Sequence, residues 1–217
     1  MRVKVCGITS YEDAALALDQ GVSALGFNFY PQSPRYLDPI AARSIIQRLP
    51  PFAAAVGLFV NVPSVLEVIR VAQLAGVRIL QLHGDESPDF CRQLSGWPLI
   101  KAVRVGDEPL PENLKEFQVA AFLLDRRDEN LFGGTGKSFD WRRAQEVKWA
   151  HPIILAGGLT PENVGDAIRT VRPYAVDVSS GVESQPGKKD AAKLVAFMNE
   201  VRNASTDLQS GFLHGTR

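Results

Sequence analysis

A single (β/α)₈ TIM barrel with eight parallel strands is the fold class the sequence predicts, on three observations. Short runs of Val, Ile, Leu and Phe return eight times along the 217 residues, each ending in Gly, Asn, His or Asp. The runs are near-continuously apolar, as strands buried on both faces are, and do not alternate apolar with polar. Helix-like stretches lie between them at about 25 residues per unit, near the short end of the barrel range. An open doubly wound sheet is the alternative. It usually offers a glycine-rich phosphate turn after its first strand, where this chain reads Cys6-Gly7-Ile8-Thr9.

In order, the strands are expected at Val3–Cys6, Ala24–Phe29, Ala54–Phe59, Ile79–Leu82, Leu99–Val103, Ala121–Leu124, Ile153–Ala156 and Ala175–Val178. Ser10, with Glu12 and Asp13 behind it, opens the first helix, because acidic groups suit the free N–H ends of a first turn. Asp38-Pro39 opens the second. Pro63-Ser64 opens the third, which Gly76 stops, and Ser87-Pro88 opens the fourth. A short fifth helix is expected near Pro111–Phe117 and a sixth after Ser138. Thr160-Pro161 has the form of a cap followed by a proline at the first helical position, and Lys189–Val201 closes the series. No composition break divides the chain, so residues 1–202 read as one catalytic domain. The polar stretch 203–217 reads as a mobile tail.

Composition narrows the function. The chain is 45% apolar and 22% charged, with 24 basic residues against 24 acidic, so it has no net pull toward nucleic acid or an anionic membrane. No uncharged apolar run approaches the roughly 18 residues of a membrane span. The start, MRVKVCGIT, enters a strand with no long apolar leader, so a cytoplasmic location is expected. Cys6 and Cys91 cannot build a disulfide scaffold, and no CxxC is present. Gly133-Gly134-Thr135-Gly136-Lys137-Ser138 resembles a nucleotide loop. A Walker A would need Gly where Leu131 stands, and a dinucleotide fingerprint would need Gly where Phe139 stands. His83, His151 and His214 lack metal-ligand spacing. NAD, ATP and zinc are excluded on these grounds.

Chemistry in such a barrel sits at the carboxyl ends of the strands. Those ends carry Cys6, Asn28 with Arg35, Asn61, His83 with Asp85, Arg104, Asp125, Gly157-Gly158, and Asp177 with Ser179-Ser180-Gly181. The last two ends read as a phosphate cradle, since glycine lets backbone N–H groups approach an anion closely. Plain glycine turns are the bland alternative. Strands one and six lie nearly across the ring, so Cys6 and Asp125 suit a base and an acid on opposite sides of a bound group. Cys6 as a small core residue, Asp125 in a salt bridge with Arg126 or Lys137, and Arg35 as a surface arginine stand beside those readings.

KVCGIT (4–9), LGFNFYPQSPRYL (25–37), GLFVN (57–61), LQLHGDE (80–86), LLD (123–125), GGTGKSFDW (133–141), LAGGLTPENV (155–164) and VDVSSGVESQPGKKD (176–190) occur in that order. Together they resemble the phosphoribosylanthranilate isomerase family of tryptophan biosynthesis, over the whole chain except the tail. The resemblance implies one cofactor-free, metal-free barrel. It implies an Amadori rearrangement of a small phosphorylated substrate, carried out by a monomer or homodimer. Cys6 falls on the family's general base and Asp125 on its general acid. Arg35 falls on the arginine that binds the anthranilate carboxylate, and Gly157, Gly158, Ser180 and Gly181 fall on the phosphate loops. His83 and Asp177 lie in family motifs and are grouped with the substrate-binding residues.

That chemistry places demands on the site. A free thiol is about 3% thiolate at pH 7, so the site is expected to leave Cys6 at its ordinary value or below. A free carboxyl is about 0.1% protonated, so an acid there needs surroundings that hold a proton on it. Ribulose-phosphate epimerase is disfavoured by missing metal ligands. Indole-glycerol-phosphate synthase stays as the catalytic alternative through Lys4 and Lys101. A non-catalytic sugar-phosphate sensor is the alternative from another class.

Overall fold

Eight strands close into one parallel barrel in chain order: β1 (Arg2–Cys6), β2 (Ala24–Asn28), β3 (Ala54–Phe59), β4 (Ile79–Leu82), β5 (Leu99–Val105), β6 (Ala121–Arg126), β7 (Ile153–Leu155) and β8 (Ala175–Val178). Closure is made by β8 against β1, with Val3 opposite Val176 and Lys4 opposite Asp177. The structure, a computed structural model, describes residues 1–106, 110–126, 141, 144 and 151–214, with side chains through 208. The sixth helix expected after Ser138, the 133–138 glycine loop and Lys137 lie outside the described residues.

Alternate strand residues separate into two packed layers. Val56, Ile100, Ala102, Leu123 and Ile154 belong to a cluster that contains no helix residue and fills the barrel interior. Their chain neighbours Leu99, Val103, Phe122, Leu124 and Leu155 pack in a larger cluster that includes helix residues such as Val68, Ala72 and Phe197. Side chains that alternate direction along a strand can produce only these two layers once the sheet is closed.

The early helices begin where side-chain oxygens take up free backbone N–H groups. Ser10 accepts from the Asp13 amide at 3.1 Å at the head of α1 (Tyr11–Asp19), and Asp38 from the Ile40 amide at 2.8 Å before α2 (Pro39–Ile46). Ser64 and Ser87 do the same for α3 (Val65–Ala75) and α4 (Pro88–Arg92). Gly76, at φ 83°, ends α3.

Three elements depart from expectation. Between β5 and β6 the chain makes one 3₁₀ helix, Glu112–Glu116. Regular helix α5 (Val164–Val171) starts later than Thr160-Pro161 suggested. The Thr160 carbonyl does accept from the Asn163 and Val164 amides, but Asn163 turns its carboxamide back, donating to the Gly158 carbonyl and accepting from the Thr160 amide. The last helix, α6, runs Ala191–His214 and so continues through most of the stretch read as a tail. Its reason is a stripe hidden in polar sequence: Phe197, Val201, Ala204 and Leu208 recur at helical spacing and pack on the core. Among the described residues no helix is long and apolar enough to cross a membrane.

Candidate active site

A cleft of about 390 Å³ opens at the carboxyl ends of the strands. Cys6, Arg35, His83, Asp125, Gly157, Gly158, Asp177 and Ser180 all line it, so eight of the nine residues singled out above share one cavity. Gly181 does not line it. A Cβ there would lie 1.9 Å from the Leu159 carbonyl oxygen, so this glycine lets the β8 loop pack directly on the β7 loop. Asn61, Asp85 and Arg104 also stand apart, in a rim network where Arg104 donates to Asp85 at 3.0 Å and Asp85 receives Asn61. Lys101 points away as well. Its ammonium is held by the Gly84 and Ala102 carbonyls and by Glu86 at 3.1 Å.

Cys6 ends β1 beside Leu58, Val60 and Tyr30 at the cleft wall. Its sulfur has room because β2 passes with Gly26: a Cβ there would meet Sγ at 2.9 Å and the Lys4 stem at 3.1 Å. Burial pushes the Cys6 thiol above its ordinary value, although Lys4 and Lys189 pull the other way. The expectation of an ordinary or lowered thiol is therefore corrected, because removal from water disfavours the thiolate more than the nearby ammonium groups favour it. Beneath Cys6, Lys4 donates to Asp177 at 2.9 Å, both buried. Burial opposes the Lys4 charge, but Asp177 and Cys6 outweigh it and the ammonium is held more firmly than usual.

Asp125 ends β6 on the far side. Its Oδ1 accepts the Arg126 backbone amide at 2.8 Å, and its Oδ2 lies 3.0 Å from His83 Nε2. Among the described residues its side-chain partner is thus a histidine and not the Arg126 guanidinium. His83 Nδ1 lies in turn 3.0 Å from Gln81 Nε2. Gly157, at φ 81°, closes over this group: a Cβ would meet the Arg126 amide at 2.7 Å and Asp125 Oδ1 at 3.2 Å. Only glycine combines that left-handed turn with that approach.

Arg35 is not a surface arginine. It comes from the loop after β2, which Asn28 fastens by accepting from the Tyr30 amide and donating to Ser33. The side chain then crosses Gly7, where a Cβ would stand 2.5 Å from Cδ. It forks onto Glu183, with Nε and Nη2 donating at 2.9 and 2.6 Å. Lys189 donates to the same carboxylate at 2.7 Å and to the Cys6 carbonyl at 2.6 Å. Burial alone would raise Glu183, but Arg35 and Lys189 outweigh it and hold the carboxyl below the usual range. Glu183 and Lys189 sit in the hairpin of β9 (Glu183–Gln185) and β10 (Lys188–Lys189), which sequence reasoning missed. Their signal was present, since both fall within VDVSSGVESQPGKKD. Gln81 was missed too, and its signal is a lone amide inside the apolar run ILQL.

The arrangement offers a thiol and a carboxyl on β1 and β6, three strands apart through β8 and β7, with two glycine-bearing loops between them. Comparison with known proteins follows this geometry. A family model described as N-(5′-phosphoribosyl)anthranilate (PRA) isomerase matches residues 3–200. A Trichlorobacter lovleyi protein named N-(5′-phosphoribosyl)anthranilate isomerase is 49% identical over 206 residues, covering 94% of this chain and 99% of that one. The crystal structure of phosphoribosyl anthranilate isomerase from Thermotoga maritima is 43% identical with a TM-score of 0.86, covering 94% and 99%. A third, phosphoribosyl anthranilate isomerase in complex with reduced 1-(o-carboxyphenylamino)-1-deoxyribulose 5-phosphate, is 41% identical with a TM-score of 0.83 over the same shares.

Proposed function

The chain belongs to the N-(5′-phosphoribosyl)anthranilate isomerase family, and from that premise we propose that Cys6 and Asp125 are the base and acid of its reaction. The protein is an isomerase of tryptophan biosynthesis. It converts N-(5-phosphoribosyl)anthranilate to 1-(2-carboxyphenylamino)-1-deoxyribulose 5-phosphate by an Amadori rearrangement. A cytoplasmic location goes with that role as part of the proposal.

Asp125 passes a proton to the ribose ring oxygen, and the C1′–O bond breaks to leave an iminium. The cationic C=N acidifies the C2′ proton, which the Cys6 thiolate removes to give an enolamine. Tautomerisation of the enolamine yields the aminoketone. Arg35, braced through Nε and Nη2 by Glu183, presents its Nη1–Nη2 edge to the anthranilate carboxylate, where two parallel bonds fix the ring. Gly157, Gly158 and Ser180 take the phosphate through backbone N–H groups. His83 and Asp177 act on the cleft through their partners Asp125 and Lys4.

The observation that carries this reading is the single cleft shared by Cys6, Asp125 and the two glycine loops. Lys101, tied outside the cleft, weighs against a lysine-based synthase. The test follows the fluorescence of phosphoribosylanthranilate made in situ. Wild type abolishes the signal, while Cys6→Ala and Asp125→Asn lose roughly 10²–10⁴-fold in turnover. Near-full turnover by either variant refutes that residue's role. Equilibrium binding without turnover by the wild type would leave a sensor in place of an enzyme.

A further inference from the structure

Gln81 is fully buried, lines the cleft, and leaves its Oε1 without a partner among the described residues. A buried acceptor with nothing to accept is uncommon and costly. Its other end, Nε2, sits 3.0 Å from His83 Nδ1, and His83 Nε2 sits 3.0 Å from Asp125 Oδ2. The three residues form a line from the barrel interior to the acid.

A carboxamide, like a neutral imidazole, is a donor at one end and an acceptor at the other. A half turn about its last carbon–carbon bond exchanges the two ends at the same distance. With the amide nitrogen toward the ring, Gln81 donates to a bare Nδ1. The ring proton is then on Nε2, and Asp125 receives it as a carboxylate. With Oε1 toward the ring, Nδ1 carries a proton, Nε2 is bare, and Asp125 must bring the proton that joins them. Either arrangement leaves one end of the amide unpaired, so the two are evenly matched at Gln81, and the second allows the proton shared by Nε2 and Oδ2 to sit on the acid.

We propose that Gln81 is a positioning residue that, by turning its carboxamide, lets His83 load Asp125 with the proton it delivers; this rests on Asp125 being the acid. In the loading step a proton from solvent in the cleft bonds to His83 Nδ1. The Nε2–H bond breaks, and its proton bonds to Asp125 Oδ2. One proton enters and one crosses, so the ring stays neutral and Asp125 becomes the acid. After delivery to the ring oxygen Asp125 is a carboxylate again, and the ring returns its proton to Nε2 through solvent. The charged groups facing this line are Asp177 from β8 with its partner Lys4 from β1, and Cys6 stands across the cleft.

The test reads the ring directly. Nitrogen-15 spectra of the wild type, with His83 assigned against His151→Gln and His214→Gln, report which ring nitrogen carries hydrogen. We expect the Nε2–H form at alkaline pH and a protonated Nδ1 where kcat/KM is high. Gln81→Glu as a carboxylate can only accept, so it should keep Nδ1 protonated to higher pH than in wild type and change the pH profile of kcat/KM. Gln81→Met, of similar volume, should lower kcat with KM unchanged. If Asp125→Asn is inactive but the Gln81→Glu profile and the His83 spectrum superimpose on wild type, the relay is overturned and the acid assignment stands. Full activity of Asp125→Asn would overturn both.

Discussion

The two walls of the cleft are built from different materials. The wall around Cys6 is made of charges in buried pairs: Lys4 with Asp177 at 2.9 Å, and Glu183 with Lys189 at 2.7 Å and Arg35 at 2.6 Å. Among the described residues the hydrogen-bonded line at Asp125 is made of a neutral amide, a histidine and a backbone N–H, and the Lys4–Asp177 pair faces it from β1 and β8. The contrast matches the tasks proposed for them. A thiol buried beside Leu58 and Val60 needs nearby cations to be ionised at all, so its wall carries fixed positive charge with matching carboxylates. An acid needs a proton held close and easily exchanged, and fixed cations beside Asp125 would favour the carboxylate instead.

Breaking one charge on the base wall should therefore cost more than breaking the neutral line on the acid wall. Lys4→Met leaves the buried Asp177 carboxyl without its cation, a loss of ~3–5 kcal/mol by the usual scale for a halved buried pair. Gln81→Met removes one hydrogen bond and an orphaned acceptor together, so a loss of about 1 kcal/mol is expected. Urea unfolding of both variants against wild type measures the difference. Equal losses would mean the two walls do not differ in the way their composition says.

Glu183→Gln sharpens the comparison within the charged wall. Arg35 is aimed by a bidentate carboxylate, and an amide offers that fork only one acceptor. The variant should raise KM about tenfold, ~1.4 kcal/mol, with kcat nearly unchanged. A fall in kcat at constant KM would place Glu183 with Cys6 and not with Arg35.

What the sequence revealed follows the same division. The eight strands were legible because buried parallel strands must be apolar throughout, and nothing else in the chain looks like them. Cys6, Asp125 and the glycine loops were legible because they stand at strand ends inside motifs shared with a known family. Glu183 was hidden because its partner Arg35 lies 148 residues away in the chain, and Lys189 because the Cys6 carbonyl it holds lies 183 residues away, separations only the closed barrel removes. Gln81 was hidden because one polar letter inside an apolar run announces burial and says nothing of its neighbour. The later start of α5 depends on Asn163 turning back to Gly158, a choice between two local hydrogen bonds that residue types leave open. The thiol's direction was misjudged for a related reason: family motifs say what the residue does, while its ionisation depends on how deeply it is packed.

That ionisation supplies the finest test of the charged wall. Burial raises Cys6, so its thiolate is lost as pH falls from a point above the ordinary thiol value. Titration of the thiolate by its ultraviolet absorbance, taken as the difference from Cys6→Ala, should accordingly place its ionisation above the ordinary thiol value. Lys189 pulls the thiol downward and donates to the Cys6 carbonyl at 2.6 Å. Lys189→Met therefore removes a cation that favours the thiolate, so that ionisation should move further toward alkaline pH and turnover at neutral pH should fall. The same substitution leaves Gln81, His83 and Asp125 untouched, so the nitrogen-15 spectrum of His83 should be unchanged. Were the His83 spectrum to move with the thiol, the walls would be one electrostatic unit, and the separation drawn between them would have to be abandoned.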